Sequence, residues 1–150
     1  MKRYSLLFLI IFIAMSQSVH AQPAKARINH VAIYVVNLQQ SVSFYSGVFG
    51  FDTIPEPFHD SKHAWYRIGP GVALHVIQGA PMPKEYYQNN HLCFSVPSVD
   101  DFVPLLKARN IPWVNATGEK MKITNRVDGV KQLWITDPDG YWIEVNDAKN

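Results

Sequence analysis

The chain has 150 residues, 47% of them hydrophobic and 17% charged, with a formal charge of +2. That is the length of one ordinary domain after its first stretch is set aside, with enough Val, Ile, Leu and aromatic residues for a core. The near-balance of charge gives no electrostatic case for nucleic acid or an anionic membrane as partner, and the single cysteine, Cys93, rules out an intrachain disulfide.

Met1-Lys2-Arg3 is basic and leads into an apolar run from Leu6 to Ala14, far shorter than the roughly 20 residues of a membrane-spanning helix. Val19-His20-Ala21 follows as a small-residue cleavage pattern, so residues 1–21 read as a signal peptide cut after Ala21. Residues 22–150 are then an exported domain, periplasmic or secreted, with no membrane association after cleavage. Cleavage removes Lys2 and Arg3 and no acid, leaving a formally neutral chain. Gln22, not a cysteine, stands directly after the cut, so no lipid anchor is expected there. Cys93 is expected to be a small buried hydrophobe.

The rest of the chain repeats itself. His30-Val31-Ala32-Ile33-Tyr34-Val35 is echoed 61 residues later by His91-Leu92-Cys93-Phe94-Ser95-Val96. A helical pattern follows each strand: Leu38, Val42, Tyr45 and Phe49 in the first copy, Val99, Phe102, Val103 and Leu106 in the second. Asn37 and Ser98 are suitable N-caps, and Gly50 and Asn110 suitable stops. Pro104 interrupts the second helix and predicts a kink or a late start there. Three extended segments come after each helix, near 51–56, 63–68 and 71–78, then near 112–115, 131–136 and 141–146. Gly69-Pro70-Gly71 and Asp137-Pro138-Asp139-Gly140 are turns between strands, and the stretch from Gly79 to Asn90 is a linker. The expected architecture is therefore α+β: two βαβββ modules, about 27–80 and 88–147, forming a cupped mixed sheet with helices on its outer face.

Side chains along a strand alternate between faces. In four strands one face is apolar: Val31, Ile33 and Val35; Val72, Leu74 and Val76; Leu92, Phe94 and Val96; Tyr141, Ile143 and Val145. Each opposite face carries one ligand-type residue, respectively His30, His75, His91 and Glu144. Buried imidazoles and carboxylates are costly unless paired or bound to metal, and one divalent ion accounts for all four. Three imidazoles and a carboxylate suit Zn²⁺, Fe²⁺, Ni²⁺, Co²⁺ or Mn²⁺, whereas Ca²⁺ and Mg²⁺ demand more oxygen. His59 and His63 lack the phase relation and read as loop or surface residues. His20 leaves with the signal peptide.

Ile28-Asn29-His30-Val31-Ala32, Phe44-Tyr45 through Val48-Phe49-Gly50-Phe51, Asn90-His91-Leu92-Cys93-Phe94 and Asp137-Pro138-Asp139-Gly140-Tyr141-Trp142-Ile143-Glu144 together resemble the vicinal oxygen chelate superfamily. That group includes glyoxalase I, fosfomycin and bleomycin resistance proteins, methylmalonyl-CoA epimerase and extradiol dioxygenases. The resemblance spans nearly all of residues 27–147. It implies metal ligands on strands one, four, five and eight, where His30, His75, His91 and Glu144 fall, and a cup assembled within one chain or between two chains of a homodimer. In typical glyoxalase I the fourth-strand ligand is a carboxylate; here it is His75.

The implied reading is a metal-dependent, glyoxalase-like lyase or isomerase. It would act on a small molecule chelated through adjacent oxygens, with Glu144 as proton shuttle and ligand. Export argues against the usual glutathione adduct as its substrate. The first alternative is an Fe(II) extradiol-type dioxygenase with His30, His91 and Glu144 as its facial triad and His75 as an acid or base. The second is a non-catalytic module that sequesters a small molecule. Tyr34, Trp65, Arg67, Arg126 and Trp142 are candidates to line the cup.

Overall fold

The structure is a computed structural model that describes residues 25–149; the expected signal peptide lies outside them. The elements run β1 (His30–Val35), α1 (Leu38–Phe49), β2 (Thr53–Ile54), β3 (His63–Gly69), β4 (Val72–Gln78), β5 (His91–Ser95), α2 (Val99–Ala108), β6 (Thr124–Asn125), β7 (Lys131–Thr136) and β8 (Trp142–Asn146). Two copies of βαβββ follow one another, each building its own four-stranded mixed sheet, ordered β1-β4-β3-β2 and β5-β8-β7-β6. The first pair of each sheet is parallel and the others antiparallel. No helix among the described residues is long and apolar enough to cross a membrane.

Local chemistry sets both helices. The Asn37 side chain accepts from the Gln40 N–H at 3.0 Å, and Gly50 closes α1 with φ 66°, a left-handed conformation that glycine adopts without steric cost. Ser98 caps α2 by accepting from the Asp101 N–H at 3.2 Å, and Asn110 turns the chain away with φ 55°. Of the kink or late start expected from Pro104, the late start does not occur: α2 begins at Val99 and runs through the proline. Pro104 points outward, and the carbonyl it leaves without a helical partner, that of Asp100, lies in the exposed first turn.

The second correction concerns the edge of the second sheet. Residues 112–115 contribute only isolated bridges, Val114 to Lys120 and to Trp134, and the edge strand is β6, further along at Thr124–Asn125. Val114 does lie beside β7, so its apolar character was a true signal of sheet contact. Pro112 cannot donate to a ladder, which limits strand formation around it.

The apolar faces read from the sequence are the ones that pack. Ile33, Val35, Leu74 and Val76 meet Tyr45 and Val48 of α1; Leu133, Ile135, Ile143 and Val145 meet Val99, Phe102 and Leu106 of α2. All belong to one core, and the modules are stitched by Phe49 and Phe51, whose rings lie 5.0 Å from that of Phe94.

A second, polar seam joins the modules at the turn between β7 and β8. Asp137 and Asp139 are 5% and 4% exposed, and both are fully engaged. The Tyr45 hydroxyl donates to Asp137 Oδ2 at 2.9 Å, while the Asp139 and Tyr141 N–H groups donate to Oδ1. Asp139 in turn accepts from the Val36 N–H at 2.7 Å and from the Ser41 hydroxyl at 3.3 Å. Gly140 has φ 90°, and a methyl group there would overlap the Lys84 carbonyl oxygen, so the turn requires glycine.

Burial pushes the Asp137 carboxyl up to about 6, with the nearby Asp139 adding to it, against the opposing pull of its three hydrogen bonds. A carboxyl harder to ionise in the folded chain stabilises it most below pH ~4 and loses that contribution as pH rises through ~6. This amounts to about 3 kcal/mol for two pK units. Asp137→Asn is expected to flatten the stability curve between pH 4 and 6.5 in denaturant titrations, with Tyr45→Phe costing about 1–3 kcal/mol by leaving a buried oxygen without its donor.

Candidate functional site

The face of each sheet opposite its helix carries the chemistry, and strand register lays it out in rungs. In the first module one rung is His30, Ala73 and Arg67, and the next is Ala32, His75 and Trp65. In the second module the corresponding rungs are His91, Trp142 and Thr136, then Cys93, Glu144 and Trp134. The repeat thus extends beyond the ligand-type residues to a tryptophan paired directly with His75 and another paired directly with Glu144.

The four residues read as ligands come together in two pairs. His30 and His75 stack at 4.2 Å with an interplanar angle of 6°, and Trp65 covers the other side of His75 at 3.9 Å and 1°. Partial burial lowers the His75 pKa, with His30 and then His63 adding to the effect. His30 Nδ1 lies 2.9 Å from Asn29 Oδ1, which leaves Nε2 free.

His91 and Glu144 form the second pair, with Nε2 and Oε2 3.2 Å apart. His91 Nδ1 lies 2.9 Å from the Gln88 carbonyl oxygen, which can only accept, so Nδ1 carries a proton. Glu144 is 9% exposed, and its Oε1 accepts from Asn146 Nδ2 at 3.0 Å. Outer atoms are thereby committed and inner atoms left facing each other. Among the described residues no group of three or more His, Cys, Asp or Glu side chains is arranged to hold a metal, so one chain brings each pair together but not all four.

Several surrounding residues differ from expectation. Cys93 is exposed, not buried, because it falls on the ligand-bearing face of β5 opposite Glu144. Its sulfur lies 3.1 Å from Asn146 Nδ2, and partial burial of the thiol, followed by the charge of Glu144 and a hydrogen bond to it, pushes its pKa up to about 12. His63 is not a loop residue: it opens β3 on the face of Trp65, with Nδ1 2.9 Å from Asp60 Oδ1. Of the residues proposed to line the cup, Trp65 and Arg67 border a cleft of about 400 Å³ beside His30 and His75. Tyr34 is engaged instead with Tyr141 across the module seam, its N–H donating to the Tyr141 hydroxyl at 3.1 Å. Trp142 donates from Nε1 to the Tyr86 carbonyl at 2.8 Å, and Arg126 pairs with Asp128 at 2.6 Å.

Asn146 and Trp134 were missed by the sequence reading. Period-two alternation put Asn146 on the Glu144 face but gave no sign that its amide would hold the carboxylate. Trp134 was recoverable, since it lies 10 residues before Glu144 just as Trp65 lies 10 before His75.

Comparison with known proteins agrees with the fold. The family model of the Glyoxalase/Bleomycin resistance protein/Dioxygenase superfamily matches residues 27–145, and the chain belongs to that superfamily. Glyoxylase I 4 of Arabidopsis thaliana is 29% identical, over 79% of this chain and 68% of its own length. Lactoylglutathione lyase of Pseudomonas putida is 27% identical, over 83% and 88%. The crystal structure of the fosfomycin resistance protein FosX from Listeria monocytogenes shares the fold, with a TM-score of 0.66 at 19% identity over 84% of this chain and 96% of that one.

A thiol with so high a pKa is almost wholly protonated at neutral pH. Iodoacetamide is expected to label Cys93 at least about a hundredfold more slowly than an unhindered thiol at pH 7.5, despite its exposure. Glu144→Gln should speed the labelling by removing the adjacent charge; a wild-type rate equal to that of a free thiol would contradict this account.

Proposed function

We propose that this protein is a metal-dependent, glyoxalase-like lyase or isomerase acting on a small substrate chelated through adjacent oxygens. His30 and His75 of one chain and His91 and Glu144 of a second copy would hold one divalent ion. The contact between His91 and Glu144 carries this reading. With Nδ1 protonated, a neutral His91 directs the lone pair of Nε2 at a carboxylate oxygen 3.2 Å away, and such a contact calls for a positive charge between or on the two groups. A metal ion satisfies it, and the hydrogen bonds from His91 to Gln88 and from Asn146 to Glu144 are the outer-shell arrangement that orients ligands.

The donor set fits Zn²⁺, Fe²⁺, Ni²⁺, Co²⁺ or Mn²⁺. The ion supplies Lewis acidity that polarises the chelated oxygens and lowers the cost of charge developing on them. Glu144 is the group to take and return a proton beside a carbonyl: Asn146 fixes its Oε1, and Oε2, directed at His91 Nε2 3.2 Å away, is the oxygen left for the ion or the proton. Trp65 and Trp134 wall the two pairs with apolar surface that limits water.

The separation of the pairs within one chain supports a homodimer. A two-fold axis that sets the first-module face of one copy on the second-module face of another yields two equivalent four-ligand sites. Two double variants test it: His30→Ala with His75→Ala, and His91→Ala with Glu144→Gln. Neither alone should bind metal tightly, but their refolded mixture should regain about a quarter of wild-type sites, since half the dimers are mixed and each carries one intact site. Equilibrium dialysis with Co²⁺ reads the result; no recovery in verified mixed dimers would refute sites shared between chains.

His75 distinguishes the lyase from the dioxygenase reading. His75→Ala is expected to weaken metal binding by more than the roughly 10–100-fold that loss of an outer-shell partner costs. Unchanged metal binding with lost oxygen uptake would instead favour the Fe(II) triad of His30, His91 and Glu144.

A further inference from the structure

The two modules repeat each other, yet their open faces differ in the rung that carries His30 in one and His91 in the other. Where the second module sets Trp142 beside His91, the first sets Ala73 beside His30, and where the second has Thr136 the first has Arg67. Replacing an indole by a methyl group opens the cleft of about 400 Å³ bordered by His30, Ala73, His75, Trp65, Ile54 and Arg67. It lies alongside the first pair of ligand-type residues, and among the described residues no acidic side chain lines it.

Arg67 is exposed, and among the described residues its guanidinium has neither an ion-pair nor a hydrogen-bond partner. The register of β3 against β4 shifts between Arg67 and Gly69, a bulge of the kind that re-aims a side chain at a sheet margin. Two strand spacings separate the backbones of His30 and Arg67, about 10 Å, with only the Ala73 methyl group between. The stacked rings of Trp65 and His75 border the same space.

We propose that Arg67 anchors a carboxylate of the substrate at a distance from its chelating oxygens. The substrate class is therefore a small, flat or extended organic acid: one end bears adjacent oxygens for the metal, and the other bears a separate carboxylate for the guanidinium. A fork of N–H donors matches a carboxylate in a bidentate manner, which fixes the molecule's direction as well as its charge. Ala73 makes the passage between the two ends, and Ile54 supplies an apolar wall for the carbon chain. The proposal rests on the metal-site reading for the chelating end alone.

Two probes separate these ends: 2-oxoglutarate, which carries a distal carboxylate, and 2-oxovalerate, which has the same chain length and chelating end but a distal methyl group. Calorimetric titration of the full-length, metal-loaded protein is expected to give 2-oxoglutarate about a tenfold lower Kd. Arg67→Gln should abolish that preference while leaving 2-oxovalerate binding unchanged, and Arg67→Lys should retain part of it. Ala73→Trp, which copies the second module, should exclude 2-oxoglutarate. Equal affinities in the wild type, or a preference that survives Arg67→Gln, would overturn the assignment.

Repeating the titrations with glutarate and valerate on EDTA-treated protein separates this inference from the metal reading. An Arg67-dependent preference in a protein that binds no metal would sink the metal centre and keep the anchor; tight metal binding without the preference would do the reverse.

Discussion

The arrangement of this molecule hangs on the buried carboxylates of Asp137 and Asp139, which belong to the second module and are satisfied largely by the first. Tyr45, Ser41 and the Val36 amide all reach across to them. Buried acids without partners would be costly, so the modules cannot separate without exposing or stranding them. The aromatic contacts of Phe49 and Phe51 with Phe94 add apolar area but little direction. The hydrogen bonds fix how the two sheets sit, and with them which face of each stays open.

That constraint explains why one chain holds its ligand-type residues in two pairs. The modules are joined through the end of β1, α1 and the turn before β8, so each open face carries its own pair. Each half is preorganised by its own neighbours: His75 lies flat between His30 and Trp65, and Glu144 is held by Asn146. A repeat whose halves are complementary, one with two imidazoles and one with an imidazole and a carboxylate, is suited to isologous assembly. In the composite site we propose, the asymmetry between Ala73 and Trp142 would leave one end open and one filled.

Much of the fold was legible because the periodic signals were strong. His30-Val31-Ala32-Ile33-Tyr34-Val35 alternates strictly, its echo at His91 fixes the module length, and capping at Asn37, Gly50 and Ser98 sets the helix ends. Signals failed where local chemistry was weak or contradictory. Val114 is a sheet contact without a strand, β6 is two residues long, and Pro104 is tolerated because it lands on the exposed side of α2 with its missing bond in the first turn. Cys93 was misjudged by residue type although its phase with His91 placed it on the open face.

The sequence by itself determined the repeat, the two faces of every ligand-bearing strand and the identity of the four ligand-type residues, since alternation and spacing are local properties of a chain. Pairing was decided only by the tertiary structure: His30 with His75, His91 with Glu144, and Asn146 holding Glu144 in place. Those contacts depend on which strands lie adjacent and in what register, and on the buried carboxylates that lock one module against the other. Side chains far apart in sequence acquire a common site only through such long-range geometry.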